Sequence, residues 1–344
     1  MPKTNPGNFF EDFSVGQVLE HATPRTVTEG DRALYTSLYP TRFAIPSSAP
    51  FAASVGLHPA PVEDLVAFHI AFGKTVPDVS LNAVANLGYA ELRFARPVVP
   101  GDTLRTRSEV IGLKQNSNGK SGVVYVRSTA TNQRDEVALD WARWVMVHKR
   151  DVDAPAPDTV LPDLAAALTA KELPVPDGLD FTRYDFRAAG EPHRLGDYEI
   201  GEKIDHVDGV TLTEAEHMMA TRLWQNTAKV HFNVEARPDG KRLIYGGHVI
   251  SMARALSYNG LANAALIAAI NAGAHTNPAF AGDTVYAWSE VLDRAELDAP
   301  GVGALRLRLV ATRGRDESMT LRGEDGKYAP DVLLDLDYWA LMPS

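Results

Sequence analysis

Along the chain, apolar and polar positions follow two rhythms, one of strands and one of helices. Tyr89 to Val98, Thr103 to Leu113, Val123 to Thr131 and Val137 to His148 are rich in β-branched and aromatic residues, and turn signals such as Pro100-Gly101-Asp102 and Asn116-Ser117-Asn118-Gly119 divide them. That pattern predicts strands. Ahead of them, Val62 to Phe72 carries Leu65, Val66, Phe68, Ala71 and Phe72 and has only a narrow polar side. A helix apolar nearly all round must be wrapped by other structure. A second helix is predicted from Gly247 to Tyr258, stopped by Asn259-Gly260 as a left-handed C-cap.

These patterns belong to an internal repeat. Pro97, Gly101, Asp102, Thr103, Ser108, Glu109 and Val110 recur as Pro278, Gly282, Asp283, Thr284, Ser289, Glu290 and Val291, at an offset of 181. Upstream, Glu11 to Gly16 matches Gly196 to Gly201 and Thr28-Glu29 matches Thr213-Glu214 at an offset of 185; downstream, Asp140 and Trp144 match Asp335 and Trp339 at 195. The Ala-rich run Leu261 to Ala272 is helical by propensity, but the repeat aligns it with the strand ending Phe94-Ala95-Arg96-Pro97. Propensity is the weaker prior, so a strand is expected. Between the copies, Pro155, Pro157, Pro162, Pro174 and Pro176 punctuate a connector that holds a short Leu-Ala-rich helical piece. The organisation read from this is an N-terminal repeat over 1–150, a linker over 151–180 and a C-terminal repeat over 181–344.

Composition narrows the function. The 344 residues are 45% hydrophobic and 23% charged, enough for two cores. The absence of cysteine excludes thiolate nucleophiles, disulfides and Cys-ligated zinc. A formal charge of −10 with no dominant basic cluster disfavours nucleic acid. No apolar run approaches the ~20 residues that span a bilayer, and the opening residues do not read as a secretory signal, so a cytoplasmic protein is expected. His206 and His217 lack metal-ligand spacing, and duplication alone explains the recurrence of Glu109 and Glu290.

Chemistry is expected at Trp224 to His231 and at Tyr245-Gly246-Gly247-His248. There an amide, Asn226, and an imidazole, His231, stand five positions apart, followed by a double glycine that opens a helix. A helix followed by strands that curl around it, given twice, resembles an α+β double hot-dog fold. The Pro-x-x-x-Gly-Asp-Thr turn is similar to that of the MaoC-like, or type 2 enoyl-CoA hydratase, family. Longer runs resemble its mesaconyl-CoA hydratases, also called β-methylmalyl-CoA dehydratases: Asn8 to Phe13, Arg25 to Asp31, Asn82 to Phe94, and Trp224 to His231.

The resemblance implies reversible hydration of an enoyl-CoA thioester by His231, with backbone N–H groups of Gly247 and His248 holding the enolate oxygen and Gly246 lining the substrate. The family carries an Asp where this chain has Asn226, and an amide cannot serve as a base. Asn226 therefore orients a water or the imidazole, or a carboxylate such as Glu214 or Glu216 takes the missing role. In the first copy the matching positions are Thr41 and Pro46, so one site per chain is expected. The implied substrate carries a free carboxylate, for which Arg222, Arg254 and Arg42 are candidates. Lys229, Arg237, Lys241 and Arg242 are candidates for the CoA phosphates. Neither metal nor redox cofactor is expected, and the assembly expected is a homodimer. An acyl-CoA thioesterase and a non-catalytic acyl-CoA binder are the rival readings.

Overall fold

The computed structural model describes residues 3–344. Ten strands form one antiparallel sheet in the order β1-β3-β4-β5-β2-β7-β10-β9-β8-β6. The first five are β1 (Val18–Thr26), β2 (Ala83–Phe94), β3 (Thr103–Gln115), β4 (Ser121–Thr131) and β5 (Val137–His148). The second five are β6 (Lys203–Thr211), β7 (Leu266–His275), β8 (Thr284–Glu296), β9 (Val302–Arg313) and β10 (Val332–Pro343). Read from the two ends inward, the order is the same twice, and the halves meet where β2 pairs with β7, Tyr89 opposite Gly273 and Leu92 opposite Ile270. Matching strands also carry matching bonds. His21 Nε2 lies 2.8 Å from Ser108 Oγ between β1 and β3, and His206 Nε2 lies 2.8 Å from Ser289 Oγ between β6 and β8.

Each half wraps a central helix, Asp64–Thr75 in the first and Gly246–Leu256 in the second. Every residue from Leu65 to Thr75 is buried, as its apolar circumference requires. The second helix yields at Asn259 and Gly260, where Gly260 takes φ 95°, a conformation glycine adopts without steric cost. One core runs through both halves and includes Phe68, Trp141, Trp224 and Ile250. Burying a side chain such as Phe68 or Ile250 contributes roughly 1.5–3 kcal/mol, so the halves stabilise each other.

The Ala-rich segment is strand from Leu266 onward, as the repeat requires: β7 is held on both sides by β2 and β10, and small side chains suit a buried seam. The helical piece expected in the linker is not there. Only a 3₁₀ turn, Ala170–Glu172, forms. Its upstream backbone is pinned instead, Leu168 N–H donating to Asn271 Oδ1 (3.0 Å) while Leu168 C=O accepts from Trp339 Nε1 (3.0 Å). Among the described residues no helix is long and apolar enough to cross a membrane.

Candidate active site

The bend that carries Asn226 begins where the helix Glu214–Leu223 ends. Trp224 is buried, Gln225 turns the chain at φ 51°, and Asn226 N–H returns to Thr221 C=O at 3.2 Å. The Asn226 side chain then braces the bend, Oδ1 accepting from Ala228 N–H at 2.9 Å. A backbone N–H can only donate, so this bond fixes which end of the amide is oxygen. Among the described residues Nδ2 makes no hydrogen bond, and an amide offers no atom that serves as a base.

A 3₁₀ turn, Lys229–His231, follows, and His231 Nδ1 lies 2.8 Å from Leu243 C=O. A carbonyl accepts only, so Nδ1 holds the hydrogen and Nε2 presents its lone pair. Nε2 makes no hydrogen bond among the described residues. Burial pushes the imidazole down to about 4, against the upward pull of the Leu243 bond. His231 is therefore a neutral, oriented imidazole across the physiological range.

Tyr245 precedes the second central helix, and its N–H donates to His217 Nε2 at 2.9 Å. The two glycines that follow are required by what surrounds them. A Cβ on Gly246 would stand 2.4 Å from His275 Cε1; one on Gly247 would stand 2.4 Å from Tyr245 Cε1 and 2.6 Å from His69 Cε1. The bare helix start presents N–H groups without a partner in the helix, which favours an oxyanion. One expectation is corrected here. The His248 N–H donates to Tyr245 C=O at 2.8 Å, so it is not a free oxyanion donor, and the amides of Gly246 and Gly247 are the pair left.

Several residues that the sequence did not single out crowd this place. The His217 ring centroid lies 6.1 Å from that of His231 and 5.8 Å from that of His248, whose Nδ1 is 2.9 Å from Tyr39 OH. From the first half come His69, with Nε2 2.9 Å from Ser251 Oγ, and Tyr89, with OH 3.1 Å from His275 Nε2. Burial depresses all of these imidazoles, His69 and His217 to about 3, His248 and His275 to about 4. The site is thus a nest of neutral histidines and tyrosines. The recurrence of histidine at 217, 231 and 248 was a signal in the sequence; nothing there pointed to His69 or to Tyr89.

The two carboxylates considered as substitutes for the family's Asp are engaged elsewhere. Glu214 pairs with Arg242 at 2.5 Å on the surface, and Glu216 accepts from Thr213 Oγ1 at 2.7 Å as part of its own helix cap. Of the phosphate candidates, Arg242 is thereby occupied and Arg237 is paired with Asp239 at 2.7 Å. Lys229 and Lys241 are exposed and without an ion pair among the described residues. Arg222 is exposed, and Arg42 lies over the Tyr258 ring at 4.4 Å. Arg254 is buried, donates to Ala264 C=O and Ser257 Oγ, and lies 3.7 Å from the Phe43 ring centroid, against the first copy's bend.

That first bend has been refilled. Thr41 Oγ1 donates to Glu63, and Glu63-Asp64 stands at the helix start where the second copy has Tyr245-Gly246. Asp64 Oδ2 accepts from Ile267 N–H at 2.7 Å, and burial pushes its carboxyl up to about 7. Two carboxyl side chains thus stand at this helix start, and Pro46 holds the position that His231 has in the second copy.

The sequence as a whole has matching relatives. It is 66% identical over 341 residues to a mesaconyl-CoA hydratase of Cereibacter sphaeroides, covering 99% of both chains. It is 61% identical to a β-methylmalyl-CoA dehydratase of Chloroflexus aurantiacus, covering 99% of this chain and 98% of that one. Among solved structures, a MaoC domain protein dehydratase of Chloroflexus aurantiacus superposes with a TM-score of 0.98 at 59% identity, covering 100% of this chain and 99% of that one. A Mycobacterium tuberculosis protein with a double hot-dog fold gives 0.75 at 26%, covering 97% and 98%. The fold of two fused hot dogs, the lone amide-and-imidazole bend and a family match described as mesaconyl-CoA hydratase over residues 2–322 agree, and the chain belongs to that family.

Proposed function

We propose that this chain catalyses the reversible addition of water to mesaconyl-CoA, giving β-methylmalyl-CoA, at one site per chain. The observation that carries the reading is the His231 Nδ1 bond to Leu243 C=O, which leaves Nε2 with its lone pair available as a base, five positions after Asn226 on the same bend. A water that accepts from Asn226 Nδ2 and donates to His231 Nε2 is placed to attack the β-carbon. Its proton passes to Nε2, its oxygen bonds to the β-carbon, and the electrons of the double bond move to the thioester oxygen. That enolate accepts from the Gly246 and Gly247 N–H groups, which act in a water-poor site where such bonds stabilise developing charge most. The imidazolium then returns its proton to the α-carbon, so water is added and His231 is neutral again. Dehydration is the same path reversed and also starts from neutral His231. The reaction is redox-neutral and uses only groups that the chain supplies.

The test is to incubate the purified protein with mesaconyl-CoA and follow enoyl-thioester absorbance, product mass and free thiol together. A product heavier by one water, with no thiol released, supports the reading. Thiol release would identify a thioesterase, and stoichiometric binding without turnover would identify an acyl-CoA binder.

A further inference from the structure

Two buried guanidinium groups occupy related places in the two halves, and only one, Arg254, has carboxyl groups, Glu63 and Asp64, close enough to feel its charge. Strand register makes Arg143 and Tyr338 counterparts, since Arg143 pairs with Tyr89 and Tyr338 with Ile270 at the same point of each half-sheet. On the central helices, Phe72 and Arg254 are counterparts, each eight residues beyond Asp64 and Gly246 respectively. In the first half the strand supplies the cation, with Arg143 Cζ 4.3 Å from the Phe72 ring centroid. In the second half the helix supplies it, with Arg254 Cζ 5.9 Å from the Tyr338 centroid. Cation and aromatic have exchanged places.

The surroundings differ in the same sense. Arg254 faces the refilled bend, where its charge favours the ionised forms of Glu63 and Asp64. Among the described residues neither guanidinium has a carboxylate within 4 Å, but Arg143, which has no exposure, has only the Tyr89 and Tyr245 phenols acting on its charge. Among the described residues its donors reach only hydroxyls, Thr75 Oγ1 at 2.7 Å and Ser80 Oγ at 3.4 Å, and its Nε–H, like that of Arg254, has no partner. Burial pushes the group down to about 10, with Tyr89 and Tyr245 pulling it back up, so it is charged at neutral pH. A buried cation without a counter-ion is costly to keep. It sits on the active side of the molecule, since the Phe72 ring is 6.1 Å from both Tyr245 and Tyr89.

We propose that Arg143 is the specificity-determining cation for the substrate's free carboxylate, acting from behind the Phe72 and Tyr245 rings as the charge that the bound anion completes. This rests on the hydratase reading given above. For a thioester to assist loss of the hydroxyl, that hydroxyl must be β to it, and in a methylmalyl chain the free carboxylate is then on the same carbon. The anion therefore enters beside the reacting atoms. The vestigial bend at Thr41 to Pro46, which Arg254 faces, needs no such ligand because Glu63 and Asp64 stand at its helix start.

The experiment compares kcat/KM for mesaconyl-CoA with that for 2-methylcrotonyl-CoA, the same skeleton with methyl in place of carboxylate. At a separation of about 10 Å and moderate screening, one charge is worth roughly a 10- to 100-fold preference. Arg143→Met should lower the ratio by that factor while 2-methylcrotonyl-CoA is still turned over, and Arg143→Lys should keep most of it. Ser80→Asp gives Arg143 an internal partner and should lower the ratio with the guanidinium still in place, which decides the matter if Arg143→Met does not fold. An unchanged ratio in folded Arg143→Met or in Ser80→Asp overturns the proposal. So does loss of the preference in Lys74→Met alone, since Lys74 is the other buried cation near the bend, bound to Gln225 and Thr23. A wild-type protein inert toward mesaconyl-CoA would sink the hydratase reading itself, and the wild type alone shows it.

Discussion

A Cβ added to Gly73 would stand 2.0 Å from the carbonyl oxygen of Trp224. The central helix of the first half thus bears directly on the bend that carries Asn226 in the second, backbone against backbone. A backbone carbonyl cannot turn aside as a flexible side chain can. Gly73→Ala should cost about 1–3 kcal/mol, the usual range for overpacking, and should lower kcat as well as the melting temperature, because the atoms displaced belong to the site. A lowered melting temperature with undiminished kcat would show that the bend tolerates the shift.

The two halves should respond unequally to removal of equivalent residues. His231→Ala should lower kcat by about 10²- to 10⁴-fold with folding intact, while Pro46→Ala, its counterpart, should hardly change the rate. Asn226→Ala should fall between. Asn226→Asp keeps the bond to Ala228 N–H but exchanges the free donor for a second acceptor, so it should remain active with a changed pH profile. Steady-state kinetics on these four variants with mesaconyl-CoA decides it; full activity in His231→Ala would place the base elsewhere.

Gly247→Ala should separate binding from chemistry. The added methyl meets Tyr245 and His69, and the amide it carries shifts away from the enolate oxygen. Loss of one oxyanion donor costs about 10²-fold or more in kcat, and KM should change much less. A rise in KM with kcat preserved would mean that this amide holds the ground state only.

The acid limit of activity should be set by folding rather than by His231. His69, His217, His231, His248 and His275 are all held below the ordinary histidine value by burial. Below pH ~6.5 the unfolded chain binds protons that the folded chain refuses, so stability falls by up to about 1.4 kcal/mol per pH unit for each group until its folded value near 3–4 is reached. Above pH ~6.5 these groups contribute no slope. Asp64, raised to about 7, and Glu63, also raised by burial, tilt the other way in the acid range, but they are two groups against six once His206, lowered to about 4, is counted. Activity should therefore collapse below neutrality more steeply than one proton allows, together with the circular dichroism signal. A first-order decline at constant ellipticity would show instead that a catalytic group is titrating.

Much of this was legible in the chain. The repeat of Pro97 to Val110 as Pro278 to Val291 settled the nature of the Ala-rich β7 segment against local propensity, because the seam between the halves holds it and propensity does not see the seam. Asn226, His231 and the double glycine were visible because they are close in sequence. What escaped was contact across the halves. His69, Phe72 and Gly73 lie more than 150 residues from the bend they support, and aligning the copies pairs each with its own counterpart rather than with its neighbour in space. The commitment of the His248 N–H to Tyr245 was hidden for a different reason, since only the turn geometry decides which amide of a helix start stays free.

The exchange of cation and aromatic between Phe72/Arg143 and Arg254/Tyr338 has a further meaning. In a two-fold assembly of identical chains, any substitution is made twice, and a change that improves one pocket is imposed on the other. Two copies read from a single chain are inherited separately. The covalent join at the linker allows one pocket to keep a buried cation for a ligand while the other sets its own carboxyls near the corresponding cation and becomes scaffold. Separated into free halves, neither could form the functional pocket alone, and two copies of either half would rebuild symmetry without rebuilding the pairing of unlike partners.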